Sequence, residues 1–126
     1  MKFFAKANGA WESATGKPSK FCEGKKCGLP HELGSTGFGA VQAVKIAANF
    51  IGLKLPGATA SVAGFGNVGT FAAKFLDEAG VKVVAISDSS GTIYDPEGLD
   101  VKNILKIKSL RQPVTSYKKA KIFSRL

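Results

Sequence analysis

The 126-residue sequence predicts an α/β fold, in which a strand–helix–strand unit with parallel strands follows one further helix. Three observations carry that prediction. A small-and-apolar run over 58–63 leads directly into a glycine turn; Val68, Phe71, Ala72, Phe75, Leu76 and Ala79 then recur at helical spacing; and Lys82-Val83-Val84-Ala85-Ile86 is a second apolar, β-branched run.

Taken in order, residues 1–34 mix glycine, lysine and scattered aromatics without a sustained period, so they read as a loop-rich segment set apart from a domain over 35–126. Val41, Val44, Ala48 and Ile51 form one stripe of a helix that opens at Ser35, and Gly52 stands where a C-terminal cap belongs. After the Leu55-Pro56-Gly57 break, Ala60-Ser61-Val62-Ala63 has the length of a buried strand. The six apolar residues from Val68 to Ala79 share one face of a helix that Gly80 ends. The run at 82–86 is apolar on both faces after its first residue, as a central strand covered by helices on each side would be. A right-handed crossover then joins the two strands. Gly91-Thr92-Ile93-Tyr94 suits a brief edge strand, Asp95-Pro96-Glu97-Gly98 is turn chemistry, and Asp100 is placed to cap a helix bearing Val101, Ile104 and Leu105. Beyond Pro113 the lysine-rich end shows no clear element.

Composition narrows the function classes. No stretch reaches the roughly 18 apolar residues that a membrane-spanning helix needs, and two cysteines make a poor disulfide framework, which points to a reducing cytoplasm. The net charge of +9 invites a polyanion partner, but 16 of the 18 basic residues are lysines, without the arginine forks that read nucleic acid. A solvated lysine surface is the favoured reading.

Gly64-Phe65-Gly66-Asn67-Val68-Gly69 is G-x-G-x-x-G at a strand-to-helix junction. Gly64 takes the tight turn, Gly66 leaves room for a pyrophosphate and Gly69 lets helix and strand pack closely, while the free N–H groups of the helix start face the phosphates. Asp88 lies 19 residues past the last motif glycine, at the end of the second strand, where a carboxylate that binds an adenosine ribose is expected. An acidic group there disfavours a 2′-phosphate, so NAD is preferred, although Ser87, Ser89 and Ser90 keep NADP open as donors. The fold expected is therefore a partial, Rossmann-like NAD(P)-binding domain.

Thr15-Gly16-Lys17-Pro18, Ser35-Thr36-Gly37-Phe38-Gly39, the glycine motif, Ser87-Asp88-Ser89-Ser90-Gly91 and Ile93-Tyr94-Asp95-Pro96-Glu97-Gly98-Leu99-Asp100 follow one another in an order and spacing that resembles the cofactor domain of glutamate dehydrogenases. The likeness runs from about Thr15 to about Tyr117, within a wider family that includes leucine, phenylalanine and valine dehydrogenases. The resemblance implies Thr36 beside the nicotinamide carboxamide, Gly66, Asn67 and Val68 along the pyrophosphate, and Asp88 and Ser89 at the adenosine ribose. It also implies oligomers, usually hexamers, that deaminate L-glutamate oxidatively to 2-oxoglutarate and ammonia. In that family the substrate-binding and proton-transferring lysines and the catalytic aspartate lie upstream of the Thr-Gly-Lys-Pro block, and the cofactor domain continues past the equivalent of Tyr117. With 14 residues before Thr15, the chain is expected to be a truncated domain that is inactive alone, and no catalytic residue is assigned. Glu32 stands where many members carry an arginine, and the Ser19 to Cys27 segment is longer than the family pattern.

Two other readings stand beside this one: a non-catalytic module that holds a dinucleotide or partner, and a basic nucleic-acid-binding protein. Cys22, Cys27 and His31 follow C-x₄-C-x₃-H, with Glu32 as a fourth candidate ligand, but lack the second well-spaced pair of a structural zinc site, so no metal is assigned.

Overall fold

In a computed structural model that describes residues 2–10 and 33–124, the chain divides into two compact units, Met1–Thr36 and Gly37–Leu126. The first unit contains a short helix, α1 (Lys2–Ala7), with Ala5 buried and Phe3 and Phe4 exposed. The sequence pattern does not announce this helix, since six residues are too few to show a helical period. The Thr15–Pro18 block and Cys22, Cys27, His31 and Glu32 lie outside the described residues.

Helix α2 (Ser35–Phe50) bridges the unit boundary and ends as expected at Gly52, whose φ of +71° lets the Leu53 N–H reach back to the Ala48 carbonyl. Only part of its expected stripe is buried. Val41 and Ala48 are, together with Gly37, whereas Val44 and Ile51 are exposed and Phe50 is 89% exposed. The second unit continues with β1 (Thr59–Ala63), α3 (Asn67–Glu78), β2 (Lys82–Asp88), β3 (Gly91–Tyr94), α4 (Val101–Ser109), a 3₁₀ turn at Val114–Ser116 and β4 (Lys121–Ser124). The sheet order is β1-β2-β3-β4, with β1 parallel to β2 and the other two pairs antiparallel. Strand β3 is thus interior, not an edge, because β4 pairs along its far side. Four residues of mixed character, KIFS, carry too little alternation to announce a strand.

Strand β2 also differs from expectation, for a geometric reason. Its pairing with β1 skips one residue, Ala60 facing Val83 but Ser61 facing Ala85, so Val84 is an extra residue on β2. The bulge resets the alternation and turns Val83 and Ile86 to the same face as Ala60 and Val62. An apolar run that reads as buried on both sides is therefore buried on one. The core sits on that face, where Val62, Val83, Ile86 and Ile93 meet Ala73, Leu76, Val101 and Ile104 from α3 and α4. On the opposite face the rows Ser61–Ala85–Tyr94 and Ala63–Ser87–Thr92–Phe123 contain no buried residue.

Helix α3 ends in the predicted way: Gly80 has φ +77°, and the Val81 N–H bonds the Leu76 carbonyl at 3.0 Å. Its buried line is Gly69, Ala73 and Leu76, while Phe71 and Phe75 stand half-buried beside it. Phe38 of α2 meets Phe75 edge-on at 5.4 Å between ring centroids. Asp100 caps α4, accepting the Asn103 N–H at 3.0 Å, and the Pro96 turn is closed by the Gly98 N–H to the Asp95 carbonyl. Arg111, after α4, is the one described non-glycine residue with positive φ, at 58°.

Candidate functional site

The two parallel strands end side by side, and the loops that leave them build a cleft of about 330 Å³. Gly64, Phe65, Gly66, Ser87, Asp88, Ser89 and Lys108 line it. Its two walls are tied together, since the Gly64 N–H donates to the Ser87 carbonyl at 3.0 Å. A second opening, of about 830 Å³, continues from Ser87, Asp88 and Ser89 along Thr92 and Phe123.

Each motif glycine has a separate physical reason. Gly64 has φ +91°, a conformation that side chains rarely adopt. Gly69 faces the turn so closely that a Cβ there would lie 1.9 Å from the Gly64 carbonyl oxygen. Gly66, in contrast, has nothing within 4 Å of an added Cβ, so the space over its backbone is open. It is the N-cap of α3 and supplies no side-chain cap. Thr70 adds only acceptance-side support, its hydroxyl donating to the Gly66 or Asn67 carbonyl, each at 2.9 Å. The first N–H groups of α3 thus meet no side-chain acceptor, with the positive end of the helix dipole behind them. Asn67 and Val68 stand exposed in this first turn. Phe65 is buried and anchors the turn in the core, which the spacing of glycines does not reveal.

Asp88 lies where the sequence places it, at the last position of β2, but it is not a free carboxylate. One oxygen accepts both the N–H and the hydroxyl of Ser90; the other accepts the Val114 N–H at 3.0 Å and lies 3.8 Å from the Lys108 ammonium. Its side chain is 9% exposed. Burial pushes the carboxyl up, but the bonds from Ser90 and Val114 and the Lys108 charge outweigh it and hold the group below its ordinary value. Ser89 is exposed at the cleft. Lys108 is a site residue that sequence reading missed; its only signal is a basic residue in the last turn of α4, which helix-dipole compensation already explains. Thr36 falls in the first compact unit, exposed in the opening turn of α2. Among the described residues, no group of three or more His, Cys, Asp or Glu could hold a metal ion, and no helix is long and apolar enough to cross a membrane.

The family model of Glutamate/Leucine/Phenylalanine/Valine dehydrogenase matches residues 28–125. The chain is 46% identical over 111 residues to a glutamate dehydrogenase of Aeropyrum pernix, covering 87% of this chain and 25% of that protein. It is 39% identical over 108 residues to an NADP-specific glutamate dehydrogenase of Saccharolobus shibatae, covering 85% and 24%. It is 48% identical over 71 residues to a cryptic catabolic NAD-specific enzyme of Bacillus subtilis, covering 56% and 17%. The hetero-hexameric glutamate dehydrogenase of Thermus thermophilus superposes with a TM-score of 0.67 at 32% identity, over 90% of this chain and 27% of that one. The chain thus spans a quarter or less of the length of these curated relatives.

Proposed function

Because the chain belongs to the Glutamate/Leucine/Phenylalanine/Valine dehydrogenase family, we propose that it is a dinucleotide-binding part of a glutamate dehydrogenase, serving oxidative deamination of L-glutamate in an oligomeric whole enzyme. The fold is the partial Rossmann-like α/β unit of that family. The observation that carries the functional reading is the cleft outside the carboxyl ends of β1 and β2, with open space over Gly66 at an uncapped helix start. A pyrophosphate lies against Gly66, Asn67 and Val68, and the adenosine ribose lies at the end of β2, by Asp88 and Ser89. The hydride chemistry belongs to the nicotinamide; the chain binds and orients it.

NAD is the preferred cofactor in this proposal, and Lys108 tempers the preference. It sits on the cleft wall against Asp88, so the negative charge that would repel a 2′-phosphate is partly offset. Replacing Lys108 with Met is expected to weaken NADPH binding about tenfold while NADH changes little, as read by fluorescence titration. Equal losses for both would remove Lys108 from the discrimination.

The test of the reading itself is NADH titration of the whole chain, with Gly66→Val as the control. An added Cβ there meets nothing within 4 Å, so the substitution fills the space over the turn, and binding should disappear while the chain still unfolds cooperatively, with about 1 kcal/mol lost at the helix N-cap. Saturable binding that survives in Gly66→Val would sink the proposal. Glutamate-dependent reduction of NAD is expected to be absent from the 126-residue chain: among the described residues the titratable groups lining the smaller cleft are Asp88 and Lys108, which pair with each other rather than serve as a general base.

A further inference from the structure

We infer that Asp88 is a positioning residue, a clamp that fixes the cleft wall by holding the Ser89-Ser90 turn to the Val114–Ser116 turn, rather than the group that binds the ribose hydroxyls. The inference rests on the dinucleotide reading above and assigns this residue's part in it.

A carboxylate offers about four acceptor positions. Here Ser90 takes two through its N–H and hydroxyl, Val114 takes a third through its N–H, and the Lys108 ammonium stands 3.8 Å from the oxygen that Val114 uses. Little acceptor capacity faces the cleft. The turn also has a reason to need holding. Asp88 pairs with Gly91, so only Ser89 and Ser90 connect β2 to β3, and neither has positive φ. The positive φ that such a hairpin uses comes one residue later, at Gly91 (φ +144°), and the bonds from Ser90 to Asp88 hold the two serines that precede it. The clamp extends one residue further. Ser90 Oγ gives its single proton to Asp88, so in its 3.1 Å contact with Thr115 Oγ1 it is the acceptor and Thr115 the donor. Ser89, on the same turn, lines the cleft, while Ser90 and Thr115 line neither opening. The clamp therefore reaches behind the lining, through Ser90 and Thr115, which face neither opening.

The experiment compares NADH with its analogue lacking the adenosine 2′-hydroxyl, on the wild-type chain, Asp88→Asn and Thr115→Val. A clamp predicts that each substitution weakens both probes by the same factor, about threefold to tenfold. Asp88→Asn penalising NADH while sparing the analogue, with Thr115→Val silent, would establish a direct ribose contact and overturn the inference. Should the wild type bind neither probe, the dinucleotide reading fails, and the clamp is judged by hydrogen exchange at the Val114 amide. Protection that drops at least about tenfold in Asp88→Ala, which removes both acceptor oxygens, supports it, and unchanged exchange overturns it.

Discussion

Gly66 and Gly69 stand three residues apart and answer to different neighbours. An alanine at 69 would drive its Cβ into the Gly64 carbonyl, and since both partners are backbone, neither can swing aside. Gly69→Ala should cost about 1–3 kcal/mol or more in urea unfolding, whereas Gly66→Ala meets no clash and should cost about 1 kcal/mol or less, through the poorer N-cap alone. A pH series separates the role of Asp88. Its native pKa is lowered, so its contribution to stability is complete above the ordinary carboxylate value and is lost as pH falls through the lowered one. Stability measured downward from neutral pH should fall less on the acid side in Asp88→Asn than in wild type; parallel curves would contradict the assignment. The sequence makes the glycines and Asp88 legible because motif and spacing are local. It hides the partners of Asp88, because Val114 and Lys108 arrive from 26 and 20 residues downstream with no period linking them to it.

Besides the Phe38–Phe75 contact, helix α2 comes close to the α3 backbone at one small residue, Gly37. A Cβ on Gly37 would come within 2.7 Å of the Phe71 Cβ and 2.8 Å of the Val68 carbonyl oxygen, while one on Gly39 would meet nothing within 4 Å. Gly37→Ala should therefore destabilise by about 1–3 kcal/mol, and Gly39→Ala should stabilise by roughly 0.5–1 kcal/mol through helix propensity alone. Thermal unfolding of the two variants checks both signs; like effects from both would deny the close crossing. Helix α3, with its period, and β1, a short apolar run leading into the glycine turn, are evident in the sequence. Others are obscured by local geometry: the extra residue at Val84 disguises a one-sided strand as a two-sided one, and β4 depends on pairing with β3, which is tertiary information.

Across the second unit, charge and apolar surface are unevenly placed. Residues 101–126 hold eight lysines and arginines and no acidic residue, and one face of the sheet carries no buried side chain from the strand rows. At net charge +9, mutual repulsion opposes the contact that such a face, and the outer edges of β1 and β4, unpaired among the described residues, would otherwise make between copies. Sedimentation should show a monomer at about 0.05 M salt and association at about 0.5 M, where the Debye length is only a few ångströms; a monomer at both would mean that the exposed face is not sticky. The sheet's mixed pairing also orders events in time. The β2–β3 hairpin closes across two residues and forms locally, whereas β1 finds β2 only after α3 has spanned the gap between Ala63 and Lys82. During synthesis β1 and α3 emerge first, and their apolar sides wait in water until β2 follows. The nascent chain is most exposed to misassembly in that interval, before either wall of the cleft exists.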